Sequence, residues 1–419
     1  MKKLYLVTMG FPYGKGEKTF ITPELGVIAN CFDVTIISVT SQDIMSDIKN
    51  RSELPENVKH NVIVSDINFF TKVRYVLQSF FYVSLYRDWM EVLLSPIQIF
   101  SRLLNSLKYH SLALYYKDQM DIIFRDEINI DDDFIVYTFW CLEPTLGGCL
   151  LKQKYSNMKL ITRMLGRDLY HERRDDGRQC FRSYINKYID AIFFASESML
   201  TYYKEHFFKN LSFKVCHIGR IGTKSQKTLN QFNKSDVFTL YSCSNVIPLK
   251  RVELIVQALG CINEKYRIHW VHFGDGSEFD NISKMAEKVQ RSNKSIKIEL
   301  KGHTTREKIF KFLCENPIDC FITTTSTEGG EPLALVEALS FGIPIIATNV
   351  ADISRTVQGN GVLLPANPSV MDVKSAIEAV IEMGECEKRR MREISVEIWS
   401  RYFNEETLIS QFVRDLNDL

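Results

Sequence analysis

The feature that most restricts the fold is a short stretch near residue 330, where a polar loop containing two glycines lies between two apolar segments. Asp319–Thr323 and Ile343–Thr348 are both apolar enough to form buried strands. Between them, Ser326–Pro332 is the polar loop and Leu333–Ala338 has helical character. Proline at the end of such a loop suits the beginning of a helix. The pattern therefore predicts a strand–loop–helix–strand unit.

This loop has the chemistry of an anion and hydroxyl site. It brings backbone amides to a helix N-terminus, where free N–H groups and the helix dipole attract anionic groups such as phosphates. Two carboxylates, Glu328 in the loop and Glu337 in the helix, can accept hydrogen bonds from vicinal hydroxyls. A nucleotide-sugar has both a diphosphate and hydroxyl-rich rings, so it is the predicted ligand. The alternative is an ordinary buried β-α-β unit with a glycine turn.

The same stretch resembles a motif of glycosyltransferase family 4. Glu328, Pro332 and Glu337 match its E-x7-E signature, although the spacing here is E-x8-E, with the extra residue in the Gly-Gly turn. The distance from the proline to the second glutamate is unchanged. The resemblance covers nearly the whole chain, most strongly residues 237–365. It implies an α/β protein of GT-B fold, with two Rossmann-like parallel-sheet domains facing a cleft, and the alternation of strands and helices in both halves favours the same fold.

Further donor-binding residues follow from the resemblance. The loop Ser244–Arg251 resembles the family's G-R-x-x-P-x-K loop, in which Lys250 matches the lysine that neutralises the donor diphosphate. Asn245 stands where the family has arginine, and Arg251 is a candidate to replace the missing charge. Two glycine turns and one turn histidine complete the set, although a G-x-G pair alone is weak evidence. The predicted donor-binding residues are Gly14, Gly16, Asn245, Lys250, Arg251, Gly274, Gly276, His303, Glu328, Gly329, Gly330, Pro332, Leu333 and Glu337.

The predicted acceptor side lies in the first half of the chain. Arg163–Tyr170 resembles the family's R-x-H-G-x-D-x-Y loop, but Leu165 replaces its histidine. Six arginines between Arg163 and Arg182 could hold a pyrophosphate by bidentate contacts, or could form a solvated, ion-paired face. The predicted acceptor-binding residues are Glu17, Arg163, Arg167, Asp168 and Tyr170.

Length and composition set the domain organisation and exclude some partners. A chain of 419 residues is long enough for two full domains. We predict an acceptor-binding domain over 1–223, a linker over 224–236, a nucleotide-sugar domain over 237–395, and helices over 396–419 that cross back to the first domain. A net charge of +1 argues against nucleic-acid binding.

The sequence predicts no metal site and no cofactor. The ten cysteines show no metal-ligand spacing, and Asp131–Asp133 precedes a strand, as a solvated turn does. The expected donor is a sugar linked to UDP or GDP.

Residues 69–117 are rich in aromatic and aliphatic side chains. From Lys72 to Lys117 the segment has six basic and two acidic residues. Its longest uncharged stretch, Tyr75–Tyr86, is 12 residues long, too short to span a bilayer. Two interpretations remain open: amphipathic helices on the anionic inner leaflet of a membrane, or core helices that cover the first sheet. The protein is accordingly expected in the cytoplasm, either free or peripheral on the membrane face.

The predicted activity is that of a retaining, metal-independent hexosyltransferase that extends a glycan, expected to be lipid-linked. Glu328, Lys250 and Asp168 are the predicted catalytic residues; the family's front-face attack, assisted by the departing phosphate, uses no protein nucleophile. By resemblance, the expected pathway is bacterial polysaccharide synthesis (capsule, O-antigen or exopolysaccharide). One alternative is a catalytically degraded member, marked by Leu165 and Asn245, that serves as a nucleotide-sugar-binding or scaffolding partner. The other is a sugar-nucleotide epimerase, which would need an acid–base group where Leu165 stands.

Overall fold

The computed structural model describes residues 1–14, 16–46, 51–94, 97–207, 215–226 and 228–419. These residues fold into two α/β units. The first unit comprises Met1–Gly219 and Ile409–Leu419, and the second comprises Arg220–Leu408.

Each unit is built on a parallel sheet. In the first unit the strands are β1 (Lys3–Thr8), β2 (Asp33–Thr40), β3 (Lys59–Val64), β4 (Phe134–Phe139), β5 (Met158–Met164), β6 (Ala191–Phe194) and β7 (Val215–Ile218). In the second unit they are β8 (Val237–Cys243), β9 (Arg267–Phe273), β10 (Ile296–Leu300), β11 (Cys320–Thr323), β12 (Ile345–Thr348) and β13 (Gly361–Leu364). The strand orders are β3-β2-β1-β4-β5-β6-β7 and β10-β9-β8-β11-β12-β13. The predicted α/β class with parallel sheets is confirmed.

Helices connect the strands. In the first unit they are α1 (Lys18–Cys31), α2 (Gln42–Ser46), α3 (Phe69–Ser79), α4 (Val83–Leu93), α5 (Ile99–Glu127), α6 (Glu143–Leu151), α7 (Arg182–Tyr188) and α8 (Glu197–Phe207). In the second unit they are α9 (Val252–Gly260), α10 (Phe279–Ser292), α11 (Arg306–Glu315), α12 (Leu333–Ser340), α13 (Ile353–Thr356), α14 (Val370–Glu382) and α15 (Glu385–Tyr402). The last helix, α16 (Glu405–Asn417), begins in the second unit and returns to the first at Ile409. Among the helices described, none combines the length and apolarity that crossing a bilayer requires.

Strands with both faces covered explain the continuous apolar runs in the sequence. Side chains alternate across a strand, so in β1 Tyr5 and Val7 enter a core with α5 and α6 residues such as Met120. Leu4 and Leu6 enter a second core on the opposite face, together with residues of α1 and α16. The second sheet likewise has a core on each face.

The segment predicted as a linker is held to the second unit. Residues 228–236 contain no helix or strand, yet the buried Asn230 side chain donates to the carbonyls of Leu313 (2.6 Å) and Asn316 (2.8 Å). It also accepts from the amide of Ile318 at 2.9 Å. A free spacer would carry no such bonds, so the segment packs as part of this unit.

Each sheet has one position where the strand order reverses. In the first sheet it lies between β1 and β4, and in the second between β8 and β11. Ligands of open parallel sheets bind outside the carboxyl ends of the strands at such positions. The loops that follow these four strands are therefore where each unit can build a site.

Candidate functional site

The strongest candidate site of the second unit lies where the β8 and β11 loops meet. Thr324 donates to the carbonyl of Arg251 at 2.9 Å, and the Ser326 amide donates to the carbonyl of Leu249 at 2.8 Å. These bonds join the two loops at the topological switch of the sheet, the position that sheet geometry favours for a ligand.

Lys250 and Glu328, the two predicted catalytic residues of this unit, are in direct contact. The Lys250 ammonium donates to the Glu328 carboxylate, and the two side chains are 20% and 14% exposed. Lys250 ends a short 3-10 turn, Pro248–Lys250. The structure thus brings together a cation and a carboxylate that lie 78 residues apart in the chain.

Helix α12 begins directly after the diglycine loop. Pro332 is its N-cap residue, with φ −62° and ψ 130°, and Leu333 is the first helical residue. Pro332 therefore precedes the first turn. The first amides of an α-helix have no partner within the helix, so those of Leu333 and Ala334 lie at the end of the loop that carries Glu328.

Glu337 lies inside α12 and is held by a cation from another helix. Its carboxylate is 2.6 Å from Nε of Arg306, at the start of α11. Burial raises the pKa of Glu337, and the neighbouring guanidinium lowers it. Arg306 also lies over the ring of Phe310, at 5.0 Å. The sequence analysis missed Arg306 because nothing in its local pattern distinguishes it from other helix-start arginines.

The Arg251 side chain is hydrogen-bonded to the loops around it. Its guanidinium donates to the carbonyls of Thr324 (2.7 Å), Thr325 (2.8 Å) and Ala366 (2.8 Å), and to the side chain of Asn367 (3.1 Å). These four hydrogen bonds join the Arg251 loop to the β11 loop and to the loop at Ala366 and Asn367. The predicted contact of Arg251 with the donor stays a prediction, as does that of Asn245, which is exposed on the same loop.

The Gly274–Gly276 turn supports the β8 loop by close backbone packing. Gly274 has φ +144°, and a Cβ there would lie 1.8 Å from the carbonyl oxygen of Ser244. A Cβ on Gly276 would lie 2.4 Å from the carbonyl oxygen of Val246. Both glycines are needed for this approach. His303 is exposed in the turn after β10, and its predicted contact with the donor stays a prediction.

In the first unit, Glu17 has a structural role. It is 5% exposed and accepts hydrogen bonds from the amides of Met9 and Phe11, both at 3.0 Å, and from Trp140 Nε1 at 2.8 Å. Burial raises the pKa of this carboxyl, and the three hydrogen bonds lower it. The carboxylate thus ties the β1 loop to the β4 loop, and its predicted binding of the acceptor stays a prediction.

Gly14 and Gly16 belong to the same β1 loop. The Gly14 amide closes a turn onto the carbonyl of Gly10 at 3.1 Å, and Gly16 is exposed. The residue between them lies outside the described part of the chain. Their predicted contact with the donor stays a prediction.

Arg163 and Asp168 are buried and bonded to other groups of the first unit, and their predicted roles at the acceptor stay predictions. Arg163 is 1% exposed and pairs with Glu24 in the core. Asp168 is 0% exposed; it accepts from the amides of Cys141 (2.8 Å), Leu165 (3.0 Å) and Gly166 (3.1 Å). Asp168 shapes the loop through these bonds, and its predicted catalytic role stays a prediction.

Arg167 is exposed beside this buried framework, and Tyr170 is half-buried against the ring of Tyr202 at 4.7 Å. That Arg167 and Tyr170 bind the acceptor stays a prediction. The structure places one further charged residue near Arg167, namely Glu143 at the start of α6. Burial raises the pKa of its carboxyl, and the charges of Arg174 and Arg167 oppose that rise. No sequence pattern indicated Glu143, because its neighbours in space are distant in the chain.

Comparisons with known proteins concern the fold and the family of the second unit. Residues 224–395 match the family model "Glycosyl transferases group 1". Over 229 residues the chain is 23% identical to the UDP-N-acetylglucosamine--peptide N-acetylglucosaminyltransferase GtfA subunit of Streptococcus agalactiae, covering 52% of this chain and 44% of that protein. The chain thus spans less than half the length of this relative.

Solved structures resemble the whole chain. The apo lipopolysaccharide outer core galactosyltransferase WaaB is similar with a TM-score of 0.66 and 13% identity, covering 99% of this chain and 98% of that one. Anabaena Alr3699/HepE, solved in complex with UDP, is similar with a TM-score of 0.66 and 14% identity, covering 100% of both chains. Residues 224–395 therefore resemble the glycosyl transferases group 1 family, in a chain that has the GT-B fold.

Proposed function

We propose that the protein is a retaining glycosyltransferase that moves a hexose from a nucleotide-diphosphate donor to a glycan acceptor. The observation that carries the proposal is the contact between Lys250 and Glu328 at the strand-order reversal of the second sheet, beside the N-terminus of α12. A cation, helix amides and a carboxylate within one loop junction suit a diphosphate joined to a hydroxylated ring.

The role of each group follows from its charge and position. Lys250 and the first amides of α12 would bind the diphosphate and stabilise the charge that develops as it leaves. Glu328 would then exchange the ammonium for hydroxyls of the transferred sugar. Glu337 would accept hydrogen bonds from the ribose of UDP or GDP. In this proposal neither a metal ion nor a protein nucleophile takes part.

The proposal also extends to the acceptor and to the pathway. We place the acceptor glycan on a lipid carrier at the inner face of the cytoplasmic membrane, in bacterial polysaccharide synthesis. On the acceptor side Arg167 is exposed next to the Asp168-bonded loop, so it is our candidate for an anionic group of the acceptor.

A second candidate function rests on a specific observation. Asn245 replaces one cation, and Arg251 is occupied by carbonyl oxygens of its own unit. Loss of one charged group from leaving-group stabilisation costs about 3–4 kcal/mol in comparable sites. A chain weakened in this way could bind nucleotide-sugars as a partner of another subunit without turning them over.

The test is mass spectrometry of products after incubation with a panel of UDP- and GDP-sugars and lipid-linked acceptors. Transfer by the wild type, lost in Glu328→Ala and retained in Lys265→Ala, supports the enzyme. Lys265 suits the control because its ion pair with Glu382 is exposed on the same unit. Binding of UDP or GDP by calorimetry without transfer would favour the partner function, and wild-type turnover by Glu328→Ala would refute the site.

A further inference from the structure

Three helices of the first unit expose an unusual number of large apolar side chains. Phe70, Phe81, Leu94 and Phe100 are each more than four-fifths exposed. We call these residues and their exposed apolar neighbours the apolar face. The other members lie on α3, α4, their connections and the first turns of α5: Phe69, Val73, Leu77, Phe80, Val83, Tyr86, Met90, Leu93, Ile97 and Leu104. Contiguous exposed apolar patches of this kind mark protein or membrane interaction sites.

The spacing shows that the exposure belongs to one side of a packed helix. In α4 the buried residues include Leu85 and Val92, which face the core. Val83, Met90 and Leu93 lie on the outward side, three or four residues apart or multiples of that, and are all more than half exposed. A solvated helix of a globular protein carries polar residues on its outward side. The outward side of α4 therefore carries apolar side chains at Val83, Met90 and Leu93, where a solvated helix would carry polar ones.

The apolar face is continuous from α3 to α4. The ring of Trp89 lies 6.0 Å from that of Phe80 and 6.0 Å from that of Tyr86. The Tyr86 hydroxyl donates to the carbonyl of Phe80 at 2.8 Å, which fixes the turn between the helices. No part of the chain that the structure describes covers this face.

The charges on these helices indicate what the face contacts. Lys72, Arg74 and Arg87 are exposed on α3 and α4. The exposed acid of the same helices, Glu91, is paired with Arg178 at 3.1 Å. An apolar face bordered by uncompensated cations complements a surface that is apolar beneath an anionic layer. We propose that this apolar face docks on an anionic lipid surface, with its aromatic and aliphatic side chains among the acyl chains.

Hydrogen bonds to Asp88 fix α4, and with it the apolar face, on the rest of the unit. Asp88, on the inward side of α4, accepts two bonds from Arg178 (both 2.8 Å), one from Ser106 of α5 (2.6 Å) and one from the amide of Phe181 (2.7 Å). A buried, fully satisfied network of this kind fixes geometry. The face is thus already formed before it meets a membrane.

The same network connects the face to the arginine-rich segment after β5. Arg102 of α5 donates to the carbonyl of Asp176 at 3.0 Å, and Asn105 donates to its carboxylate at 2.9 Å. Docking would therefore hold the segment that leads back to the exposed Arg167 close to the lipid headgroups. This step deepens the proposed function and rests on it, since it gives a lipid-carried acceptor a route to the protein.

The experiment measures co-sedimentation of the full chain with vesicles of phosphatidylglycerol mixed with phosphatidylcholine, and with vesicles of phosphatidylcholine alone. We expect binding to the mixed vesicles that weakens as salt is added. Phe81→Ser/Leu94→Ser and Lys72→Glu/Arg87→Glu should each weaken that binding roughly tenfold or more, because they remove apolar contact or reverse charges near the surface. The control is Ile130→Ser/Met371→Ser, at two apolar positions outside the face that are 55% and 54% exposed, and it should bind like the wild type.

Calorimetric titration with UDP separates this inference from the proposed function, because both face variants should bind UDP like the wild type. Wild-type vesicle binding by both face variants, or no vesicle binding by the wild type, would overturn the inference. So would a wild-type dimer in sedimentation analysis that Phe81→Ser/Leu94→Ser converts to a monomer, since the face would then be an interface between two copies of the chain.

Discussion

At the scale of single residues, four carboxylates that follow strands differ in what their oxygens accept. Glu17 and Asp168 accept backbone amides and are buried, so their positions are fixed by the loops that they shape. Glu328 and Glu337 instead pair with cations from other elements. An ion-paired carboxylate can exchange its partner for a ligand, whereas one that satisfies buried amides cannot do so without leaving those amides unbonded. In the sequence each carboxylate lies in the loop or helix that follows a strand, and the pattern cannot tell these two kinds apart.

Lys250→Ala should lower the rate of sugar transfer by about a hundredfold to a thousandfold, as expected for the loss of one preorganised charge at a leaving group. The substitution also leaves Glu328 without its partner at a site that is partly open, so a modest loss of stability is expected. Steady-state kinetics with the best donor of the panel, beside a thermal melt, would separate the two effects. A Lys250→Ala enzyme with wild-type kcat would contradict the proposed role of the ammonium.

Arg306→Gln should move the pH dependence of UDP binding to higher pH. Burial raises the pKa of Glu337 and Arg306 lowers it, so removal of the guanidinium raises it further. Tyr241 and Cys243 also face this carboxyl, and burial raises the pKa of both, which keeps them neutral near pH 7. Because the ribose hydroxyls need the ionised carboxylate as acceptor, UDP affinity in the variant should begin to fall at a higher pH as the solution is acidified.

Calorimetry from about pH 5 to 8 measures this shift. Arg306→Lys keeps the charge and should shift the profile less than Arg306→Gln. Superimposable profiles for the wild type and Arg306→Gln would show that Arg306 does not control Glu337.

At the scale of elements, the site of the second unit depends on loops packed backbone to backbone. The Gly274–Gly276 turn lies against Ser244 and Val246, and the β11 loop is bonded to Leu249 and Arg251. The Lys250 loop is therefore held from both sides, by the Gly274–Gly276 turn and by the β11 loop that carries Glu328. Small residues at these contacts are as necessary for the site as its charged residues.

Gly276→Ala should destabilise the protein and reduce UDP affinity, because its Cβ would lie 2.4 Å from a backbone oxygen that can move only with the β8 loop. Gly26→Ala is the matched control. It lies in the exposed part of α1 with no atom within 4 Å of the new Cβ, and should stabilise by about 0.5–1 kcal/mol through helix propensity. Urea unfolding of both variants measures the difference. Equal stability of Gly276→Ala and the wild type would contradict the close packing described for this turn.

The strands predicted from the sequence, β11 and β12, are continuous apolar runs, because burial on both faces leaves a strong signal. The sequence analysis did not identify β3 (Lys59–Val64), whose residues are mostly half-buried at an edge of the sheet, or β13 (Gly361–Leu364), only four residues long at the other sheet's edge. Edge strands carry a weaker pattern. In residues 69–117, α5 packs on the core of the first sheet, while α3 and α4 expose apolar side chains; the membrane-surface interpretation stays a prediction.

At the scale of the whole molecule, each unit contains a buried neutral histidine bonded to a serine. His110 in the first unit contacts Ser84 at 2.8 Å, and His272 in the second contacts Ser242 at 2.8 Å. Burial lowers the pKa of each to about 4 from the usual 6.5. In the unfolded chain both would bind protons at a higher pH than in the folded protein. Unfolding therefore takes up protons, and stability should be lost as the pH falls from about 6.5 towards 4.

The shift corresponds to at most about 3 kcal/mol for each histidine, so both units should weaken in mild acid. Urea unfolding at pH 7.5 and at about pH 5 would measure this dependence. His272→Asn and His110→Gln keep a polar group near each serine and cannot be protonated, so each should flatten the dependence. Wild-type steepness in the double variant would show that other groups cause the acid sensitivity.

The central claim is that the Lys250 ammonium, the Glu328 carboxylate and the N-terminus of α12 together bind the diphosphate and sugar of one nucleotide-sugar. A crystal structure of the protein with bound UDP tests it most directly. The claim predicts phosphate oxygens within hydrogen-bonding distance of Lys250 Nζ and of the first amides of α12, with the ribose hydroxyls on Glu337. UDP bound elsewhere, with the Lys250–Glu328 and Arg306–Glu337 pairs unchanged and no phosphate near α12, would contradict it.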